Sequence, residues 1–228
     1  MSLNSISSWF ANNERLTALL IEALGQTLVM VLVSGLIGFI IGIPLGVMLH
    51  LSKKGGLLEN KALNKSLGFI VNIGRSIPFI ILLVAIIPFT RFVVGSSIGT
   101  AAAIVPLTVG AIPFIARLVE GALLEVPAGL VEAAQAMGAT PKQIITKVLL
   151  PEALPGIING VTITLVTLVS YSAMAGTVGG GGLGDVGIRY GYQRFDGTVM
   201  AITVVMLIIL VQLIQSIGDY CVKRVDHR

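Results

Sequence analysis

Five long apolar runs dominate the chain, at residues 24–49, 67–89, 98–116, 154–175 and 198–217. A helix needs ~17–25 largely apolar residues to cross the hydrocarbon core of a bilayer, and each run meets that need. No water is available there to satisfy the backbone, so a lipid-facing run must close its hydrogen bonds within itself as a helix. The fold class that follows is all-α, a polytopic membrane protein with five transmembrane helices in one domain, residues 1–228. Composition agrees, because only 11% of the residues are charged and mean hydropathy is +0.96, whereas a soluble domain carries ~25% charged residues. Runs two and three are separated only by residues 90–97. Joined, they would make a helix of about fifty residues, far longer than a bilayer requires, so they count as two.

Charge sets the direction of the spans. Lys53, Lys54, Lys61, Lys65, Arg117, Lys142, Lys147, Lys223, Arg224 and Arg228 fall on one side of the five-span arrangement, against Arg15, Arg91, Arg189 and Arg194 on the other. The richer side is cytoplasmic by the positive-inside rule, which puts the N-terminus outside and the C-terminus inside. Arg75 sits near the start of run two, within snorkelling reach of the basic side. The net charge of +4 is explained by this topology and forms no basic tract for nucleic acid. Residues 1–19 lack the charged start, apolar core and small-residue cleavage site of a signal peptide. Trp9 and Phe10, followed by Glu14 and Arg15, are read either as a short interfacial segment or as disorder.

Between runs three and four lies a polar loop, residues 117–153, on the cytoplasmic side. Pro127 suits the first turn of a helix and Gly138 its left-handed cap. Leu130, Ala134 and Met137 recur at helical spacing and share one apolar face, while Glu132 and Gln135 point elsewhere. Thr140, Pro141 and Gln143 then carry the signature of a capping box. Ile144, Ile145, Val148 and Leu149 lead that second helix toward Pro151. Two short helices set at a sharp corner either join two spans or present a rigid docking element to a soluble partner.

Glu132, Ala133, Ala134, Gly138, Leu150 and Pro151 match the coupling motif of ATP-binding-cassette (ABC) importer permeases, with Val148 where Ile is commoner. More narrowly, the chain resembles the permease of the bacterial methionine importer. The similar stretches are Asn72-Ile-Gly-Arg-Ser-Ile-Pro-Phe-Ile80, Ile104-Val-Pro-Leu-Thr-Val-Gly110, Pro113-Phe-Ile-Ala-Arg117, Met137-Gly-Ala-Thr-Pro141, Val148-Leu-Leu-Pro-Glu-Ala-Leu-Pro-Gly156 and Tyr171-Ser-Ala-Met174. They cover most of the chain after Val31.

The resemblance implies a type I ABC importer permease fold in a bacterial inner membrane. It also implies a homodimer, two copies of a cytoplasmic ABC ATPase that carry ATP and Mg, and an extracytoplasmic methionine-binding lipoprotein. The implied cargo is L-methionine, with D-methionine and close derivatives. ATPase-coupling residues would be Glu132, Ala133, Ala134, Met137, Gly138, Ala139, Thr140 and Pro141. This chain holds no glycine-rich loop ending in Gly-Lys-Ser or Gly-Lys-Thr, so nucleotide binding falls to the partner. Another small amino-acid-like solute, an ion-coupled carrier and a passive channel remain as alternatives.

Run one repeats a small residue at every fourth position, Ser34, Gly38, Gly42 and Gly46, which predicts a close helix–helix contact. In run four Thr164, Thr167, Tyr171 and Met174 share a face, read either as a translocation path or as packing, and Asn159 is a further path candidate nearer the inner end. No ionisable residue falls at the middle of a run, which weakens ion coupling. Gly182-x-Gly184-x-x-Gly187 has the bare spacing of a dinucleotide fingerprint, but it follows a membrane run instead of a strand. It reads as an external loop, in which Asp185, Arg189 and Arg194 are candidate contacts for the delivery protein. His50, His227 and Cys221 share no arrangement that would support catalysis or metal binding. No catalytic, cofactor or metal site is expected in the chain.

Overall fold

The computed structural model describes residues 14–226, and the interfacial reading of Trp9 and Phe10 lies outside them, as does His227. Helix α1 runs Glu14–Ser52 through Pro44, and its small-residue face is buried. That face meets α5, Thr100–Leu124. A Cβ placed on Gly42 would stand 2.8 Å from Ile115, and one on Gly46 would stand 2.5 Å from the Ala116 carbonyl oxygen. Two backbones therefore approach as closely as the sequence repeat predicts.

Helix α2, Lys61–Ser76, starts at Asn60, whose side chain caps the Leu63 N–H at 3.0 Å. Its Asn64 side chain donates to the Leu49 carbonyl at 2.8 Å and ties it to the inner end of α1. At Pro78 the chain turns by 99° into α3, Phe79–Ala85. Proline supplies no N–H and restricts the residue before it to extended backbone, so the helix ends there. Helix α4, Ile87–Val94, closes on Gly95 in the left-handed region. Run two is thus a broken element. Four helices are long and apolar enough to cross a membrane, and the bent pair α2–α3 makes a fifth.

After α5 come the short α6, Ala128–Ala136, and α7, Pro141–Gly176. The second half of the polar loop and run four are one continuous helix, with a π turn at Ile145–Leu149. Pro151 explains that turn. It withholds its own N–H and crowds the Lys147 carbonyl, so the helix widens just before it and the Leu150 N–H reaches the Ile145 carbonyl. A glycine-rich turn leads to α8, Gly182–Val186, and a π turn at Gly187–Tyr192. The last helix, α9, runs Gly197–Val225 from Asp196, whose carboxylate accepts from the Thr198 and Val199 N–H groups.

Helix α5 is the most enclosed of the long helices and α9 the least. Leu107, Ile115, Leu123, Leu168 and Met30 fill the centre around α5. Apolar side chains on the outer faces of α1 and α9, Ile40 and Ile208 among them, are left uncovered by this chain.

Candidate functional site: the capped corner and the helix that follows it

Local sequence builds the corner between α6 and α7. Gly138 has φ +77°, the left-handed region that a side chain resists. From there its N–H donates to the Gln135 carbonyl at 2.9 Å, and the Ala139 N–H donates to the Ala134 carbonyl at 3.0 Å. This pair of bonds is a Schellman cap. Ala134 and Ala139 pack on the same buried cluster, which supplies the cap's apolar contact. Two residues later the Thr140 N–H donates to the Gln143 side chain at 2.8 Å, and Thr140 Oγ1 accepts from the Gln143 N–H, a complete capping box. One helix is thereby ended and the next begun within four residues, so their angle is set by backbone hydrogen bonds.

The predicted apolar stripe divides. Ala134 is buried against the chain's own core with Ile144 and Leu149. Met137 projects outward and is 81% exposed, and Leu130 is also exposed. Glu132, Ala133, Thr140 and Pro141 are also exposed. Glu132 and Gln135 line a cavity of about 320 Å³ between α6 and the inner end of α1, together with His50 and Lys53. The corner is fixed to the bundle through Ala134 and presents Met137 as a sulfur-bearing apolar knob.

Above the corner, the candidates on α7 take different surroundings. Asn159 is exposed on an inner cavity of about 250 Å³ shared with Glu125 and Glu152. Thr164 is buried and donates its hydroxyl to the Gly160 carbonyl at 2.7 Å. Thr167 donates to the Ile163 carbonyl at 2.8 Å. Both hydroxyl protons are used within the helix, which leaves only acceptor lone pairs. The Tyr171 ring stacks on Phe79, with centroids 4.3 Å apart and planes 3° from parallel, so α7 rests on the first residue of α3. Met174 stands 45% exposed one turn further out. On the inner half of α5, Arg117 pairs with Glu120 at 2.6 Å and donates to the Asn72 side-chain carbonyl, which links the charged pair to α2.

At the opposite end of the bundle from the corner the glycine-rich turn is locked to α1. Gln26 accepts from the Gly182 N–H at 2.8 Å and Thr27 from the Leu183 N–H at 2.9 Å. Sequence reading missed these two, since their partners lie 156 residues away; a polar pair in an otherwise apolar run was the available signal. Helix α7 precedes the turn and a five-residue helix follows, so the strand of a dinucleotide site is absent among the described residues. Asp185 is only 7% exposed and holds the Arg189 guanidinium in a two-pronged pair. That hydrogen bond and charge raise the arginine's pKa. Arg194 lies over the Tyr190 ring, 4.4 Å from its centroid. Of the outer candidates, Asp185 is therefore engaged internally, while Tyr192 and Phe195 are the prominent exposed side chains.

The geometry has counterparts. Residues 38–228 match the family described as the binding-protein-dependent transport system inner membrane component. A probable D-methionine transport system permease protein, MetI, of Vibrio cholerae is 71% identical over the whole length of both chains. The D-methionine transport system permease protein MetI of Escherichia coli K12 is 59% identical over 72% of this chain and 76% of its own. Among solved structures, a chain of the MetNI methionine ABC transporter in an inward-facing conformation superposes with a TM-score of 0.92 at 59% identity, covering 94% of this chain and 99% of that one. A chain of an amino acid ABC transporter with histidines shares the fold at a TM-score of 0.78 and 18% identity, over 94% and 98% of the two chains.

Proposed function

The chain belongs to the family of binding-protein-dependent transport system inner membrane components, and from that premise we propose that it is the permease of an ATP-driven methionine importer. The observation that carries the reading is the capped corner at Gly138, a stiff element with an exposed Met137. Such an element transmits motion from a partner. The partner is an ABC ATPase that binds ATP and Mg, present in two copies beneath a permease homodimer in a bacterial inner membrane. Met137 and its exposed neighbours Glu132, Ala133, Gly138, Thr140 and Pro141 seat in a groove of that ATPase. Ala134 and Ala139 hold the corner to the bundle.

Closure of the ATPase pair pulls the two corners together and opens the paired permeases outward. A methionine-binding lipoprotein then releases its ligand into the path, and hydrolysis returns the assembly to the inward-open state. The N-terminus lies outside and the C-terminus in the cytoplasm, which matches the basic residues gathered near α6, the α1–α2 turn and the end of α9. Asn159, Thr167, Tyr171 and Met174 border the path, and Thr164 braces the helix that carries them. The cargo is L- or D-methionine, supported by the end-to-end likeness to D-methionine permeases.

A methionine auxotroph stripped of its own methionine permeases tests this. Expressed with its ATPase and binding protein, the chain restores growth on limiting L-methionine and on D-methionine. Restored growth on another amino acid alone would keep the importer and overturn the cargo.

A further inference from the structure

Arg75 is the ionisable side chain that the fold places where a membrane protein least tolerates one. It occupies the last turn of α2, and the sequence pattern suggested the edge of a span. In the structure α2 begins at Lys61, so Arg75 stands about four turns along it from its first residue. Its depth is fixed by its neighbour. A Cβ on Gly74 would lie 2.9 Å from the ring of Pro113, and Pro113 is near the middle of α5, Thr100–Leu124. The same level of α5 meets Gly38 and Gly42 of α1. Arg75 therefore lies near the midplane, and its side chain is exposed.

No carboxylate reaches it. The ion pairs among the described residues are Lys61–Glu59, Arg117–Glu120 and Arg189–Asp185. A second copy does not supply one either. Copies inserted in the same direction are related by an axis along the membrane normal, so each residue keeps its depth. Glu14, Glu22, Asp185 and Asp196 stand at the outer end, and Glu59, Glu125, Glu132, Glu152, Asp219 and Asp226 toward the inner one, while Glu120 is already paired. A guanidinium facing lipid at this depth is strongly disfavoured, so intramembrane arginines face water or a ligand. The bend at Pro78 follows three residues later, and Phe79 beyond it stacks on Tyr171 of α7. Arg75 thus sits at the break that joins α2 to the candidate path face.

We propose that Arg75 lines the translocation path at the broken helix and binds the α-carboxylate of the passing amino acid. The inference rests on the importer reading above and adds a named substrate group to it. A guanidinium matches a carboxylate in charge and fork geometry, and it selects for solutes that carry one. Asn72 and Ser76, also exposed on the last turns of α2, flank it.

The test uses the assembled permease–ATPase complex in proteoliposomes with its binding protein, and follows labelled L-methionine uptake and ATP hydrolysis together. Arg75→Gln is expected to hydrolyse ATP but to lose uptake by about tenfold or more, the loss of one charge-assisted bond, while Arg75→Lys keeps an intermediate rate. Uptake by Arg75→Gln equal to the parent's would overturn the inference. If the parent itself moves no methionine, the importer reading fails instead. A second measurement does not depend on turnover. With Cys221→Ser as background, the thiol of Arg75→Cys should react with a charged, water-soluble methanethiosulfonate in the assembled complex, and millimolar methionine should slow the reaction. A thiol that stays unreactive in both the nucleotide-free and the ATP-bound complex lies outside any aqueous path and would sink the assignment.

Discussion

Gly138 shows how much of the proposed coupling rests on one backbone conformation. Its φ of +77° is available to glycine at little cost, and its N–H closes the cap on Gln135. Gly138→Pro removes that donor and fixes φ near −65°, so the angle between α6 and α7 is lost while the spans are untouched. The variant should insert, assemble and hydrolyse ATP, with methionine uptake falling at least about tenfold relative to hydrolysis, as a misplaced coupling element would cause. Normal uptake per ATP would remove Gly138 from the account. Thr140→Ala is a milder change. It deletes the hydroxyl of the capping box and should cost about 1 kcal/mol locally. Faster amide exchange at Gln143 and Ile144, with the spans unchanged, is the readout.

At the scale of elements, contacts that depend on short spacings could be read from the chain, and those that depend on distant neighbours could not. The Ser34–Gly46 repeat foretold the close face of α1, and Thr140 with Gln143 foretold the start of α7. Proline at 151 suggested an end to that second helix, yet it falls where a π turn absorbs it and the helix continues to Gly176. Pro78 alone does not say how far the chain turns, and the near-perpendicular break goes with the packing of Phe79 and Leu82 against Gly110. Thr164 shared a face with Met174 in the sequence, but its burial depends on the helices packed around it. Asp185 looked like a free external carboxylate because nothing local reveals that Gln26 and Thr27 pin its turn to α1. Gly42→Leu drives a side chain into Ile115 and should destabilise the α1–α5 contact by about 1–3 kcal/mol or more. The melting temperature of the detergent-solubilised complex should fall, and an unchanged value would show that the two helices can part without loss.

Taken whole, the molecule is a bundle around α5 with a rigid corner at its inner end, a broken helix at mid-depth and a turn locked to α1 at its outer end. Its apolar outer faces suit lipid and a second copy. In the proposed importer the energy comes from the partner ATPase. The most direct measurement is therefore labelled methionine uptake into vesicles that hold the permease, its ATPase and its binding protein, with and without ATP. The account predicts uptake that requires ATP, requires the binding protein and is competed by unlabelled methionine. Uptake at the same rate without ATP would contradict it and make the chain a passive path.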